Sequence, residues 1–360
     1  ENGAAGIYNG AMTITGTTVL RAAAFREGWK PTDVDTQTYL FASQVGGQSA
    51  SPANFPQQWV PNLSGTQAPV AAYSHFGMNQ GVLSTLPMRD AKGVDFELEE
   101  ALKSIPSISL VLDAEVMFDP SHGLHRNATQ RGRAWERNVS FEVIDPVKGS
   151  AVQANCGIRM HGGWNRYREM LKKSFRLYFR LEYGDSKLKY ALFPGSEIDE
   201  FDRLILRSGN GKAWASPWRA LSGSGNSLER VTYLRDQIVR DFQAATGNEA
   251  IPGTFMHLYL NGHYWGIYNP VERPTEHFAA ARFGGEADEY DVLKWVRGVG
   301  HQVAAGDDVA WNRLIGLVRG NVLDAGNYEE IQELLDLENF ADYMVVNHFA
   351  GNSDWIDNNV

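Results

Sequence analysis

Apolar and polar residues alternate most regularly between residues 107 and 209. "SISLVLD" (107–113) is a β-branched, apolar run and predicts a buried strand. "NVSFEVID" (138–145) alternates and predicts a second strand. "CGIRMHGG" (156–163) reads as a strand running into a Gly162–Gly163 turn. In "KSFRLYFRLEY" (173–183), Phe175, Leu177, Phe179 and Leu181 alternate with Ser174, Arg176, Tyr178 and Arg180, the period of a half-buried strand. "FDRLILRSG" (201–209) adds another. Further on, two β-rich runs flank Asn261–Gly262 in "FMHLYLNGHYWGIYNPVE" (255–272), and Asn-Gly is the preferred pair for a two-residue hairpin. At the start of the chain, "TTVLRAAAF" (17–25) and "VDTQTYLF" (34–41) also read as strands. They form either an edge hairpin of the main domain or a small sandwich module.

The period then lengthens. "SLERVTYLRDQIVRDFQAATG" (227–247) has Leu228, Val231, Leu234, Ile238 and Phe242 at helical spacing, with Ser227 as N-cap and Gly247 past the end. "DDVAWNRLIGLVRG" (307–320) and "DLENFADYMVVNHFAG" (336–351) predict two more helices. The second carries Leu337, Phe340, Ala341, Met344, Val345 and His348 on one face, and Gly351 as its stop. "FELEEALKSIP" (96–106) predicts a short helix ended by Pro106. Residues 36–88 contain no Asp, Glu, Lys or Arg and are rich in Gly, Ser, Pro, Gln and Asn. They predict a linker laid over the surface, with Phe55, Trp59 and Leu63 as anchors. Strands followed by helices, with no internal repeat, imply α+β segregation.

Composition narrows the function classes. The 360 residues are 43% hydrophobic and 21% charged, enough for one large domain or two to three smaller ones. A net charge of −10 argues against a generic phosphate- or nucleic-acid-binding surface, so any nucleotide needs a local site. A single cysteine, Cys156, excludes an internal disulfide and a cysteine zinc cluster. No apolar run reaches the length that spans a bilayer. The start at Glu1 and the end at Val360 read as cuts in a longer protein, with a signal peptide removed or never included.

Candidate chemistry concentrates in three places. In "GNSDWIDNNV" (351–360), Asp354 precedes Asn359 by five residues, with Asn358 beside it. An aspartate that orients an attacking hydroxyl and an amide that holds a metal need this spacing in a phosphotransferase loop. A plain polar helix exit with Asx turns uses the same residues. Gly162–Gly163, followed by Lys172 and Lys173 at the start of the next strand, suits a turn over phosphates with a lysine reaching them. Solvated lysines beside an ordinary turn are the alternative. Glu272, after the hairpin, sits where a hinge would follow the sheet. His122 and His125 are spaced i, i+3 but lack an obvious third ligand, and Lys212 is followed by Ala213 where a P-loop needs Ser or Thr. No Gly-x-Ser-x-Gly elbow supports a serine hydrolase.

The ordered set "CGIRMHGGWNR", "LKKSFRLYFRLEYG", "LKYALFPG", "YLRDQIVRDF", "LYLNGHYWGIYNPVER" and "FADYMVVNHFAGNSDWIDNN" resembles the CotH kinase family, atypical protein kinases of spore-coat and surface proteins. The resemblance covers about residues 105–360. It implies an α+β, atypical protein-kinase-like fold, with an antiparallel-rich sheet lobe followed by a helical lobe. It also implies ATP- and Mg²⁺- (or Mn²⁺-) dependent phosphorylation of Ser or Thr on a protein substrate, with the chain itself among the candidate substrates. By position, Asp354 matches the catalytic aspartate and Asn359 the metal-binding asparagine, with Asn358 as the alternate. Lys173 matches the phosphate-binding lysine, with Lys172 as the alternate. Gly162, Gly163 and Glu272 complete the nucleotide side. The helix glutamate that pairs with the lysine has no clear match, with Glu229 or Asp236 nearest. A second metal aspartate would lie beyond Val360. Residues 1–41 resemble the C-terminal β-module of chitobiase-type enzymes, a β-sandwich-like fragment, with 42–104 as linker and short helix. That points to a secreted or cell-surface protein, with extracellular glycan as a further partner. The rivals are a surface protein that has lost transfer activity, and an accessory domain of a carbohydrate-active enzyme that binds glycan through Trp164 or Trp265.

Overall fold

The structure is a computed structural model, and it describes residues 6–53, 55–56, 76–78, 83, 88–89, 93, 95–147, 149–167, 170, 172–209, 232–296 and 299–352. The strands are β1 (Thr18–Ala22), β2 (Asp35–Tyr39), β3 (Met88–Arg89), β4 (Asp95–Phe96), β5 (Ser107–Val111), β6 (Arg137–Asp145), β7 (Gly149–His161), β8 (Ser174–Tyr178), β9 (Leu188–Lys189), β10 (Glu200–Phe201), β11 (Arg203–Arg207), β12 (Met256–Leu260), β13 (His263–Glu272), β14 (Val292–Val296) and β15 (Gly300–Ala305). The helices are α1 (Leu98–Leu102), α2 (Ala114–Phe118), α3 (Arg235–Ala245), α4 (Glu276–Phe283), α5 (Val309–Arg319), α6 (Ala325–Leu334) and α7 (Leu337–Phe349). The chain folds as two units, 1–233 with 253–271, and 234–252 with 272–360.

The first unit is built on a closed barrel, in the order β11-β13-β12-β5-β6-β7-β8. The mixed α+β content is as expected, and the expected antiparallel-rich sheet takes the form of this closed barrel. One neighbouring pair, β12 with β5, is parallel. Closure follows from the strand pattern. Every second residue points inward, and on six of the seven strands the inward set is apolar: Ile108 and Leu110, Val139, Phe141 and Val143, Ile158, Phe175 and Leu177, Leu204 and Leu206, Leu258 and Leu260 are all at most 1% exposed. Cys156 lies in this core, and burial pushes its thiol far above the usual range, so it is inert.

Strands β1 and β2 form a separate two-stranded hairpin. It is seated on the outer barrel wall. Glu142, fully buried on β6, accepts the Thr38 backbone N–H (3.0 Å) and the Thr38 hydroxyl, which also meets Ser109 Oγ at 2.8 Å. Asn155 Nδ2 on β7 donates to the Val34 carbonyl (3.0 Å). These bonds attach the β1–β2 hairpin to the barrel wall. Phe55 of the uncharged segment anchors it as expected, packing on Phe76, Phe118 and Trp265. Trp59 and Leu63 lie outside the described residues.

The second unit holds α3 to α7 and the β14–β15 hairpin. Helix α3 starts at Arg235, not after Ser227. Tyr233 has φ 61°, a left-handed conformation that breaks a helix, while 210–231 lie outside the described residues. Helix α7 spans the predicted residues, but its buried face differs from the apolar one. Val346 and Asn347 are buried, whereas Phe340 and Val345 are 46% and 64% exposed. The reason is polar packing: Asp342 accepts Asn248 Nδ2 at 2.8 Å, which turns that side of the helix inward.

Candidate functional site

The barrel brings the Gly162–Gly163 turn and the two lysines together. β7 ends at His161, and Gly162 takes φ 102°, a conformation that favours glycine. The chain then folds back on itself. Arg166 Nε donates to the Gly162 carbonyl (2.6 Å), and the single Ser208 hydroxyl proton lies between Asn165 Oδ1 (3.2 Å) and the Lys172 carbonyl (3.1 Å). Ser174 Oγ accepts Ser208 N–H at 3.0 Å, tying the start of β8 to the end of β11. A Cβ on Gly163 would meet no atom within 4 Å, so that side of the turn is open.

Both lysines are turned onto backbone carbonyls. Lys173 is 2% exposed, and its Nζ donates to the Tyr167 carbonyl. Its own carbonyl accepts the Tyr268 hydroxyl at 2.9 Å. Lys172 is half-buried overall, with its Nζ donating to the Trp265 carbonyl. That acceptor exists because of a bulge. The β12–β13 register shifts at Leu258/Tyr259 and skips Trp265, which turns its carbonyl out of the ladder and toward the lysine. Gly266, beside it, has φ 118°, and a Cβ there would stand 2.2 Å from Lys172 Nζ. Only glycine fits both the backbone and the amine. Desolvation pulls the Lys172 amine down to about 8, below the ordinary lysine range.

Gly266 is the site residue that sequence reasoning missed. Its signal was present, because a lone glycine inside a strand pattern marks a bulge or a close approach.

Glu272 is 3% exposed and ion-paired with Arg282 Nη2 at 2.6 Å. Arg282, on α4, also meets Glu249 at 3.2 Å. Asp236, weighed as a lysine partner, pairs with Arg240 at 2.6 Å, and Glu229 lies outside the described residues. Asp354, Asn358 and Asn359 also lie outside them. The helix that leads toward them is well anchored at its end. Asn347, 5% exposed, donates to the Tyr343 carbonyl (2.9 Å), and Gly351 turns the chain with φ 59°. Asn352 then bonds back, Nδ2 to Asn347 Oδ1 at 2.8 Å.

Neither the His122–His125 pair nor the rival reading of Trp265 as a glycan platform gains support. His122 pairs with Asp119 (2.8 Å) while His125 packs on the Phe118 ring (5.9 Å), and among the described residues no group of three or more His, Cys, Asp or Glu could hold a metal. Trp265 is 2% exposed inside an aromatic cluster, so it cannot serve as a glycan platform. The Trp164 side chain lies outside the described residues. No described helix is long and apolar enough to cross a membrane. A family model described as CotH kinase protein matches residues 158–360. No curated protein matches the chain.

Proposed function

The chain belongs to the CotH kinase protein family, and from that premise we propose that it transfers the γ-phosphoryl group of ATP, with Mg²⁺ or Mn²⁺, to a Ser or Thr hydroxyl of a protein substrate. The observation that carries this reading is the Lys172 amine, desolvated and held on the Trp265 carbonyl beside the Gly266 bulge. Across the β7–β8 ladder, where His161 pairs with Ser174, Lys173 leads into β8 as Gly162 leads out of β7. A cation pre-positioned in this way stabilises phosphate charge without reorganisation at the moment of reaction.

In this reading Lys173, or Lys172, steadies the ATP phosphates under the open side of the Gly162–Gly163 turn. Asp354 orients the attacking hydroxyl. The carboxamides of Asn359 and Asn358 are the residues that would hold Mg²⁺, which when bound neutralises charge on the phosphates. Glu272, fixed by Arg282, supports the segment after β13. The likeness of residues 1–41 to a chitobiase-type module supports a secreted or cell-surface setting. The test is transfer of labelled γ-phosphate to the chain itself or to added protein. Wild type transfers label, Asp354→Ala loses at least about a hundredfold, and equal label from both refutes the reading.

A further inference from the structure

The outer barrel wall over β7, β8 and β11 carries arginines that the phosphotransfer reading does not use. Residues that alternate with core Ile158, Phe175, Leu177, Leu204 and Leu206 face outward, and they include Arg159, Arg176, Tyr178, Arg203 and Arg207. Arg159 stands directly opposite Arg176 in the β7–β8 register, a like-charge pair that costs stability unless something compensates it. The Tyr178 ring is their shared floor. The guanidiniums of Arg159, Arg180 and Arg176 lie 4.4, 4.8 and 6.0 Å from its centroid, and the residue is only 5% exposed. Cation–π contacts of this kind fix the planes of the forks.

Counter-charge among the described residues includes Asp202, which meets Arg203 at 3.0 Å. Glu136, 7% exposed, meets Arg133, Arg159 and Arg180 and accepts the Tyr183 hydroxyl at 3.2 Å. Gly157 makes room for it, since a Cβ there would stand 2.6 Å from Glu136 Oε1. Arg133 also reaches Glu182. Arg176 contacts His161 Nδ1 (2.9 Å) and the Tyr178 hydroxyl (3.3 Å). Arg166 donates to the carbonyls of Gly162, Ala128 and Gln130 (2.6, 3.1 and 2.9 Å). Neither meets a carboxylate among the described residues. Burial and the positive charges of Arg131, Arg176 and Arg159 pull Arg166 down to about 10, a sign of uncompensated field. Nε of Arg159, Nε of Arg176 and Nδ2 of Asn165 are buried donors with no hydrogen-bond partner among the described residues. On a chain of net charge −10 such a concentration of guanidinium is a local feature with a local cause.

We propose that Arg166, Arg176 and His161, flanked by Arg159 and Arg180, form an oxoanion site on the outer barrel wall that takes a phosphoryl group. Guanidinium forks match pairs of phosphate oxygens, and half-buried forks hold them more strongly than solvated ones. A nucleotide polyphosphate and a phosphorylated side chain present the same group. The site does not depend on phosphoryl transfer, so loss of transfer in Asp354→Ala has no bearing on it.

Titration calorimetry of the full chain with inorganic pyrophosphate tests the site. Wild type binds, and Arg176→Gln loses about tenfold or more in affinity, as removal of one charge-assisted fork requires. Modification by phenylglyoxal, mapped on the wild-type chain, needs no variant, and pyrophosphate protects Arg166 and Arg176. Displacement of pyrophosphate by ATP identifies the nucleotide as the source, and displacement by phosphoserine but not ATP identifies a phosphorylated side chain. Absence of pyrophosphate binding, or binding with neither arginine protected, overturns the proposal.

Discussion

The two units of the chain bury their side chains very differently. On the barrel, five consecutive residues of β5 and five of β12 are buried, and the described hydrophobic side chains with 0–1% exposure all lie in the first unit. In the second unit, α5 and α6 each bury one residue, α7 buries Val346 and Asn347, and α3 and α4 bury none. Leu323, Phe349 and Val309 are 91%, 79% and 69% exposed there. Since stabilisation tracks apolar area removed from water, the barrel is the stiffer platform and the helical unit the softer one. The division suits the proposed phosphoryl transfer. The proposed phosphate-steadying lysines sit on the rigid unit, and the proposed transfer residues follow a helix whose end is fixed by polar bonds.

The contrast is tested most strongly by truncation. Phe141→Ala, at 0% exposure inside the barrel, should cost about 3–5 kcal/mol, while Val345→Ala on α7 should change stability by less than about 0.5 kcal/mol. Denaturant melts of both variants check this, and equal losses would erase the distinction. A smaller effect is expected at the bulge. Gly266→Ala must force a side chain into φ 118° against Lys172 Nζ, costing about 1–3 kcal/mol. It should also displace the amine and raise its pKa toward the ordinary lysine value, readable by pH-dependent amine labelling.

The smallest effect concerns the hairpin. Glu142 has its pKa raised, chiefly by desolvation, against the hydrogen bonds from Thr38 that lower it. Between the ordinary and the raised value, the folded chain binds more protons than the unfolded one. Stability therefore falls as pH rises through that window. Glu142→Gln should flatten that slope while leaving the hairpin in place, as amide exchange at Thr38 would report. A slope unchanged in the variant would locate the titration elsewhere.

Sequence pattern made most of the barrel strands legible, because period-2 alternation survives wherever one face is core. The Asn261–Gly262 hairpin was equally plain, and both residues do take positive φ, 52° and 77°. Barrel closure was not readable. It depends on β12 meeting β5 in parallel, with His257 opposite Ser107 far along the chain, and no local signal encodes that pairing. The buried face of α7 was misjudged because Asn347 and Asp342 are drawn inward by hydrogen bonds, which hydrophobic spacing ignores. Gly162, Gly163, Lys172 and Lys173 stand out as candidates by motif alone. The Trp265–Gly266 bulge that fixes Lys172 was missed, since its role depends on a side chain 93 residues away.

Labelling with an acyl-phosphate derivative of ATP tests the central claim most directly, because the probe transfers its acyl group to a lysine amine beside the phosphates. Lys172 or Lys173 should be the modified residue, excess ATP should protect it, and Lys172 modification should rise with pH around a midpoint of about 8, the pH at which that amine loses its proton. Labelling confined to other lysines, or labelling of this pair that ATP leaves unchanged, would contradict a phosphate-binding role for the barrel end.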